Sequence, residues 1–361
     1  MMLAAAIKGI ESFPLSGWDY TAFIVYFAIV LGIGLWVGRR KKTGSDDYFL
    51  AGRSLPWYVV GSSFIGSNIS AEHFIGMIGS AMIFGICPAM SEWANVASFT
   101  LLIWFFIPFL LASQVFTTPE YMERRFNPAL RQFFAIVTVI TNIVAFLAAV
   151  LYGGGLALQS LFGNGIRSLL AGIMAKLGHV APPSAYAGWD LWFAITALAI
   201  FAGSWAIHGG LKSVAWTELF TVIIMVTGGL MVTILGLQML SDSHSAIDGL
   251  RVMVDRNRAT HGVWKEAVTR NAQALAHVDN YNRLSVVQPI THELSPWPSL
   301  IFGLFTVSIW YNVINQFMIQ RVLGARNMYH ARMGIVLAGY LKLLLPFIVV
   351  VPGLIYFAIK P

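Results

Sequence analysis

Long apolar stretches separated by short polar segments run along the whole chain. A helix needs about 20 mostly apolar residues to cross a bilayer. The sequence offers eight such stretches: 17–38, 57–83, 93–115, 131–161, 187–205, 211–240, 297–322 and 333–358. This pattern predicts an all-α, multi-pass protein surrounded by a lipid bilayer. The first stretch is too long for a signal peptide, and the basic run Arg39 to Lys42 follows it rather than precedes it.

Basic residues in the short loops orient the spans. Lys and Arg concentrate in the cytoplasmic loops of membrane proteins, and residues 39–55 contain the densest group of them. Placing 39–55 in the cytoplasm puts 116–130, 206–212 and 323–332 there too. The sequence therefore predicts that both termini lie outside. The expected location is the plasma membrane, or the cell inner membrane if the source is bacterial.

The segment 241–296 is the longest polar stretch and is expected on the outside. It contains six Arg and Lys residues, but long loops are translocated largely regardless of their charge. Residues 245–256 and 262–279 place apolar side chains at approximate helical spacing. An external cap and a loosely ordered loop both fit this segment.

Composition excludes several protein classes. Of the 361 residues, 57% are hydrophobic and 11% are charged, and mean hydropathy is +0.71. A water-soluble globular enzyme and a disordered chain are both incompatible with these values. The single cysteine, Cys87, allows neither an intrachain disulfide nor a cysteine-based zinc site. The net charge of +7 fits cytoplasmic loops, and no nucleic-acid partner is expected. The chain also lacks the HExxH, P-loop and GxSxG motifs, so no enzyme activity is expected.

Polar residues crowd the centre of the second span. Asn68, Ser70, Glu72 and His73 lie within an otherwise apolar stretch. Small residues such as Gly61 are explained by close helix packing, but the amide, carboxyl and imidazole groups are not. Polar groups at membrane depth are costly and usually mark a binding site or a pathway. The stretch therefore predicts a broken helix whose free backbone groups line a cavity.

Three further spans carry polar groups at membrane depth. Glu92 beside Trp93 suits a sugar, because the acid accepts hydroxyl hydrogen bonds and an indole stacks on C–H faces; solvated interfacial positions are the alternative. Glu218 fits either a snorkelling interfacial residue or a cation exit route. Lys342 lies too deep to snorkel easily and needs a counter-charge, for which Glu92 and Glu72 are available. The seventh span adds polar side chains that must face the bundle: Ser308, Trp310, Tyr311, Asn312, Asn315 and Gln316.

Several motifs, in order, resemble one known family. They are DYFLAGRSLPW at 47–57, SNISAEHFIG at 67–76, EW at 92–93, TPEY at 118–121 with RRF at 124–126, GGL at 209–211 with WTE at 216–218, NQ at 315–316 with QR at 320–321, and LKL at 341–343. Together they resemble the sodium/solute symporter family, in particular its sugar-transporting branch of sodium–glucose cotransporters. The resemblance covers nearly the whole chain except the 241–296 segment.

The resemblance implies a leucine-transporter-type fold of two inverted five-helix repeats. Residues 17–38 would be an extra N-terminal helix, 57–240 the first repeat, 241–296 an external loop and 297–361 the start of the second repeat. The stretches 57–83 and 297–322 would be the two broken core helices. On this map the chain ends after the seventh core helix, so we expect an N-terminal portion of a longer transporter. The missing eighth core helix would normally supply hydroxyl oxygens to the sodium site.

The resemblance also implies roles for individual residues. The sugar would be held by Asn68, His73, Glu92, Asn95, Ser308 and Lys342. Tyr311 matches an aromatic gate on the cytoplasmic side, and Met77 matches part of the outer lid. Backbone carbonyls of Gly66 and Ile69 would hold part of the sodium shell, and Glu218 would be linked to ion release.

The implied function is sodium-coupled symport of a hexose-like sugar by alternating access. Symport of another small solute, such as an inositol, an amino acid or a carboxylate, is the alternative within the same class. A membrane sensor that binds solute without transporting it is the alternative from a different class. The sequence predicts neither the exact sugar nor the oligomeric state.

Overall fold

The computed structural model describes residues 15–39, 44–71, 73–258, 262–276 and 282–360. Within these ranges the chain is helical, and β-type pairing is limited to isolated bridges. Four residues that entered the sequence argument lie outside the described residues: Arg40, Lys41, Lys42 and Glu72.

Eleven helical elements are labelled in chain order. They are α1 (Gly17–Gly38), α2 (Trp57–Asn68), α3 (His73–Phe84), α4 (Ala89–Ala112), α5 (Pro128–Lys176), α6 (Trp189–Leu240), α7 (Ala246–Arg258), α8 (Gly262–Asn271), α9 (Ser299–Ile314), α10 (Gln316–Leu323) and α11 (Met328–Ile359). Shorter helical turns lie at Ser45–Phe49, Ala51–Arg53, Thr118–Arg125 and Pro183–Tyr186. Wider π-helical turns occur within α3, α4, α5 and α9.

Among the described residues, five helices are long and apolar enough to cross a membrane: α1, α4, α5, α6 and α11. The pair α9 and α10 makes a sixth span if its 47° bend lies within one crossing. The difference from the expected eight has two causes. Helix α6 contains two expected spans, 187–205 and 211–240, and the stretch 57–83 is divided into α2 and α3, each too short to cross alone. Large apolar side chains on α5, including Phe133 and Val144, are exposed, as lipid contact requires.

The loop expected at 162–186 is wrong for most of its length, because α5 continues to Lys176. The extension is tied to the start of α6 through the buried side chain of Asp190. Its carboxylate accepts hydrogen bonds from Gln159 Nε2 at 2.9 Å and from Arg167 Nε at 2.6 Å. Hydropathy predicts only the part of a helix that lies in lipid. Helix α5 continues beyond that part, where the side chain of Arg167 bonds to Asp190.

The turn expected at 206–212 is also wrong, since it is reduced to a kink within α6. Gly210 has φ 62° and ψ −163°, a conformation that side-chain-bearing residues rarely adopt. His208, expected in a turn, lies in the helix before the kink.

Both helix breaks expected from the sequence are confirmed. After Asn68 the backbone becomes extended at Ile69, with φ −99° and ψ 132°, before α3 begins. Between α9 and α10 the backbone becomes extended at Asn315, with φ −63° and ψ 126°. Each break leaves backbone groups in the bundle interior that a continuous helix would have paired.

Helix α2 is at the centre of the bundle. Val60, Phe64 and Ile65 are fully buried in a core formed with α4, α10 and α11. The backbones of α2 and α11 nearly touch, since a Cβ atom at Gly61 would lie 2.4 Å from the carbonyl oxygen of Gly334. The break after Asn68 is therefore held by close packing on its N-terminal side.

The 241–296 segment packs on the end of α11, which favours the cap over the loosely ordered loop. Met253 of α7 packs against Leu354, and Val268 of α8 packs near Phe357. The helical stretches expected at 245–256 and 262–279 correspond to α7 and α8, although residues 277–279 lie outside the described residues.

Arg283 joins this segment to α3. Its fully buried guanidinium donates to the carbonyl oxygens of residues 81–83 at 2.6 to 3.3 Å and to Asn257 Oδ1 at 3.3 Å. The same group lies 3.7 Å from the centre of the Phe357 ring. Arg283 thus satisfies the C-terminal carbonyls of α3 and connects them to α7 and α11.

We predict that Arg283→Leu loosens the 241–296 segment. Carbonyl groups of α3 would lose buried partners, and leaving such a group unsatisfied costs about 1–3 kcal/mol. The thermal midpoint in detergent should fall, and protease cleavage within 241–296 should accelerate. The matched control is Arg270→Leu, which alters an exposed arginine of α8 and should change neither measurement. Equal behaviour of the two variants would contradict this role of Arg283.

Candidate functional site

A cavity of about 440 Å³ lies beside the break between α2 and α3. Its volume is within the range of about 300–1,000 Å³ that is usual for small-molecule sites. Its lining includes polar groups from three parts of the chain: Asn68, His73, Glu92, Asn95 and Lys342. The walls are completed by residues of α5, α9 and α10. Four of these contributing helices, α3, α4, α5 and α9, contain π-helical turns, which are frequent at functional sites.

Hydrogen bonds at the break redirect the backbone. The Ser70 N–H, which would bond the Gly66 carbonyl in a continuous helix, donates instead to His73 Nδ1 at 3.2 Å. The His73 N–H donates to the Ser70 carbonyl at 3.1 Å rather than to the carbonyl of Ile69. The carbonyl oxygens of Gly66 and Ile69 are thereby released from these helical bonds and become available to a ligand.

An ion pair lies at the centre of the cavity wall. Lys342 Nζ donates to Glu92 Oε2 and to Asn68 Oδ1. The two charged residues are 1% and 3% exposed, so each charge depends on the other for compensation. Of the two counter-charges expected for Lys342, the structure provides Glu92. The contact joins α11, α4 and the end of α2.

His73 extends this polar cluster to α3. Because its Nδ1 accepts the Ser70 N–H, the proton of a neutral ring is on Nε2. That nitrogen lies 3.5 Å from Glu92 Oε1. The two carboxylate oxygens of Glu92 thus face Lys342 on one side and His73 on the other.

Asn95 is held in place by its own helix and by α9. Its Nδ2 donates to the Ser91 carbonyl at 2.7 Å, and its Oδ1 accepts from Asn312 Nδ2. Asn312 also donates to Ser98 Oγ at 3.1 Å. These bonds fix α9 against α4 next to Ser308, which also lines the cavity.

Aromatic rings form the opposite wall. Tyr311 lies 5.3 Å from Phe146 and 5.6 Å from Phe317, measured between ring centres. Nearby, Asn142 of α5 and Asn315, which lies at the α9–α10 break, are joined by two amide hydrogen bonds of 3.2 and 3.4 Å. An aromatic wall opposite a polar one suits a ligand with both C–H faces and hydroxyl groups.

Glu218 belongs to a separate network on the far side of α2. It accepts hydrogen bonds from the hydroxyls of Ser63 and Ser67, and Arg321 Nη2 lies 3.0 Å from its Oε1. The snorkelling interpretation is therefore wrong, because the carboxylate points into the bundle. The backbone of Gly66 lies against this side chain. Ser67 lines the cavity as well, so it links the two networks.

Two residues from the sequence argument lie away from the cavity lining. Met77 packs in a small core with α11, one turn beyond His73. Trp93 donates from Nε1 to the Leu343 carbonyl at 3.4 Å, so its indole is not the stacking surface expected. Adjacent residues on a helix face different directions, and Glu92 takes the one that faces the cavity.

Several residues of the cavity and of the Glu218 network were not predicted from the sequence. Asn142 had a visible signal, as an amide within the apolar stretch 131–161. Phe146 and Phe317 had none, since aromatic residues are common on lipid-facing and interior positions alike. Arg321, the partner of Glu218, was noted only as part of a motif.

A model of the family described as "Sodium:solute symporter family" matches residues 48–178 and 184–360 of this chain. Curated proteins are similar over nearly all of it. The sodium/glucose cotransporter of Vibrio parahaemolyticus is 34% identical over 344 residues, which are 94% of this chain and 55% of that protein. The sodium/myo-inositol cotransporter of Mus musculus is 31% identical over 341 residues, which are 93% of this chain and 43% of that protein. The chain thus spans about half the length of the curated relatives it matches.

A solved structure shows the same fold. It is the substrate-bound outward-open state of a Na⁺-coupled sialic acid symporter, which matches with a TM-score of 0.66 and 19% sequence identity. The match covers 94% of this chain and 60% of that one. It confirms the leucine-transporter-type fold expected from the sequence.

We predict strong energetic coupling between Glu92 and Lys342. Lys342→Met leaves a buried carboxylate without its partner, and loss of one member of such a pair costs about 3–5 kcal/mol. The double variant Glu92→Gln with Lys342→Met leaves no unpaired charge, so it should lose less stability than the two single losses combined. Denaturant unfolding of the four proteins in detergent measures this coupling. Additive losses would show that the pair is not coupled.

Proposed function

Because this chain belongs to the sodium:solute symporter family, we propose that it forms the solute-holding part of a sodium-coupled sugar symporter. The observation that carries the proposal is the cavity at the α2–α3 break, with the Glu92–Lys342 pair and Asn68 on one wall. Alternating access to that cavity from the two sides of the membrane would move the solute. The multi-pass membrane fold supports this reading.

A hydroxyl-rich solute fits the chemistry of the cavity. Asn68, Glu92 and Lys342 offer fixed donors and acceptors that replace the water lost by sugar hydroxyls, and His73, Asn95 and Ser308 extend the set. Tyr311 and its aromatic neighbours offer a surface for C–H faces. An amino acid or a carboxylate would bring a charge beside two charges that already compensate each other, which disfavours those alternatives. An inositol is the second candidate. It is also a ring with many hydroxyl groups, and one relative is named as a sodium/myo-inositol cotransporter.

We place sodium next to the same break. Sodium is a hard cation that prefers oxygen ligands, and the carbonyls of Gly66 and Ile69 are released from their helical bonds there. An ion that binds both sides of the break stabilises the arrangement in which Asn68 and His73 face the cavity. Sodium and sugar then strengthen each other's binding by the same free energy.

The gating elements follow from the same geometry. Tyr311 would close the cavity on the cytoplasmic side by movement at the Asn315 break, and Met77 would act in the outer lid. Glu218, held by Arg321 and two serines, would assist release of the ion. In this arrangement 57–240 is the first repeat and 297–361 begins the second. Both ends of the chain lie on the side of the membrane opposite the cytoplasm.

We predict sodium-dependent uptake of labelled hexose by the full-length protein that contains this chain, reconstituted in liposomes. Replacing sodium with choline should reduce uptake to background. Glu92→Gln should lower uptake by about 10–100-fold, as expected when a polar ligand loses a buried partner worth 1–3 kcal/mol. The control Glu266→Gln, on an exposed face of α8, should transport normally. Uptake in choline equal to that in sodium would contradict the coupling, and hexose binding without uptake would identify a sensor.

We further predict the order of competing solutes. Unlabelled hexose and myo-inositol should compete with labelled hexose, whereas a neutral amino acid and a monocarboxylate should not. Glu92 and Lys342 already compensate each other, so neither charge is left to pair with a charged group of the solute. Inhibition constants from uptake assays provide the comparison. Stronger competition by the amino acid or the carboxylate would replace the sugar assignment.

A further inference from the structure

A second cavity, of about 770 Å³, shares no lining residue with the first cavity. Four remote segments meet there: the end of α1, the residues before α2, the part of α6 after its kink, and the connection between α10 and α11. The residues that carry the argument are Trp36, Arg39, Pro56, Lys212, Trp216 and Arg326.

The charge of this cavity is uniformly positive. Arg39, Lys212 and Arg326 come from three different segments, and no carboxylate is among the lining residues. In the part of the chain that the structure describes, none of the three forms an ion pair. Arg326 is oriented by a bond from its Nε to the Ser54 carbonyl at 2.8 Å, which leaves its terminal nitrogens for another acceptor. An anion would compensate charges that have no ion-pair partner among the described residues.

The cavity also has an apolar side that faces the lipid. Trp36 is 73% exposed at the end of the membrane-spanning α1, and Trp216 and Pro56 form neighbouring apolar surface. Indole rings at helix ends are typical of the level of lipid headgroups. Cations and indole rings that line the same cavity match a molecule with an anionic head and an apolar tail.

We propose that this cavity binds the phosphate headgroup of an anionic glycerophospholipid. Arg39, Lys212 and Arg326 contact the phosphate, and Trp36 and Trp216 pack on the glycerol and upper acyl chain. A bound lipid would add contacts among these four segments. The site depends on the membrane location of these helices and not on the identity of the transported solute. A lipid suits it better than free phosphate because the apolar wall has no role for an inorganic ion.

The test measures lipid binding to the purified, delipidated full-length protein by native mass spectrometry. The probes are phosphatidylglycerol and phosphatidylcholine with identical acyl chains. The test variant combines R39Q, K212Q and R326Q, and the matched control combines K176Q, K265Q and R270Q, which removes the same charge from exposed residues elsewhere. Each cation near a headgroup contributes about 1 kcal/mol. We therefore expect the wild type and control to prefer phosphatidylglycerol by at least about tenfold, and the test variant to lose that preference.

Three results would overturn the proposal. They are an unchanged preference in the test variant, equal binding of the two lipids to the wild type, and displacement of phosphatidylglycerol by millimolar inorganic phosphate. The last result would assign the site to a free anion. If the triple variant is not recovered folded, K212Q and R326Q are measured singly. Each should then weaken phosphatidylglycerol binding about fivefold, and unchanged binding in both would equally reject the lipid site.

Discussion

The ion pair between Glu92 and Lys342 is the interaction on which the solute site depends. Neither charge could remain at membrane depth alone, because an uncompensated buried charge is strongly destabilising. Together they join α4 to α11, and the bond from Lys342 to Asn68 adds the end of α2. The same groups that hold three helices in register also present donors and acceptors to the cavity. The cluster that holds the helices together is thus also the polar wall of the proposed solute site.

The helix break beside that cluster converts packing into a binding site. Close contact between Gly61 and Gly334 fixes α2 before the break, and Arg283 fixes α3 after it by holding its last carbonyls. The short extended segment between them is left to the bonds between Ser70 and His73. The break therefore lies between two anchored segments, and the second anchor, Arg283, belongs to the 241–296 segment that packs on α11.

The sequence predicted most of the polar residues that line the cavity, because polar atoms at membrane depth are conspicuous. Asn68, Glu92 and Lys342 each stood out in an apolar stretch, and both helix breaks followed. The sequence offered Glu92 and Glu72 as counter-charges for Lys342, but the choice between them could not be derived, since the register between distant helices depends on packing. Trp93 was misread because a neighbour in sequence points to a different face of the helix. The end of α5 was not predicted, because hydropathy detects only the part of a helix that lies in lipid. The role of Arg283 was not predicted either, because nothing in the sequence distinguishes it from the other arginines of the 241–296 segment.

The most direct test of a solute cavity at the α2–α3 break is thiol accessibility in the full-length protein, with Cys87 and every cysteine outside this chain replaced by serine. Cysteine is introduced at Ser70, which lines the cavity, or at Val59, which is fully buried in the core of α2. A membrane-impermeant thiol reagent should label Ser70→Cys and not Val59→Cys, and hexose with sodium should slow the labelling severalfold. An unreactive Ser70→Cys, or labelling at the same rate with and without hexose, would contradict the account.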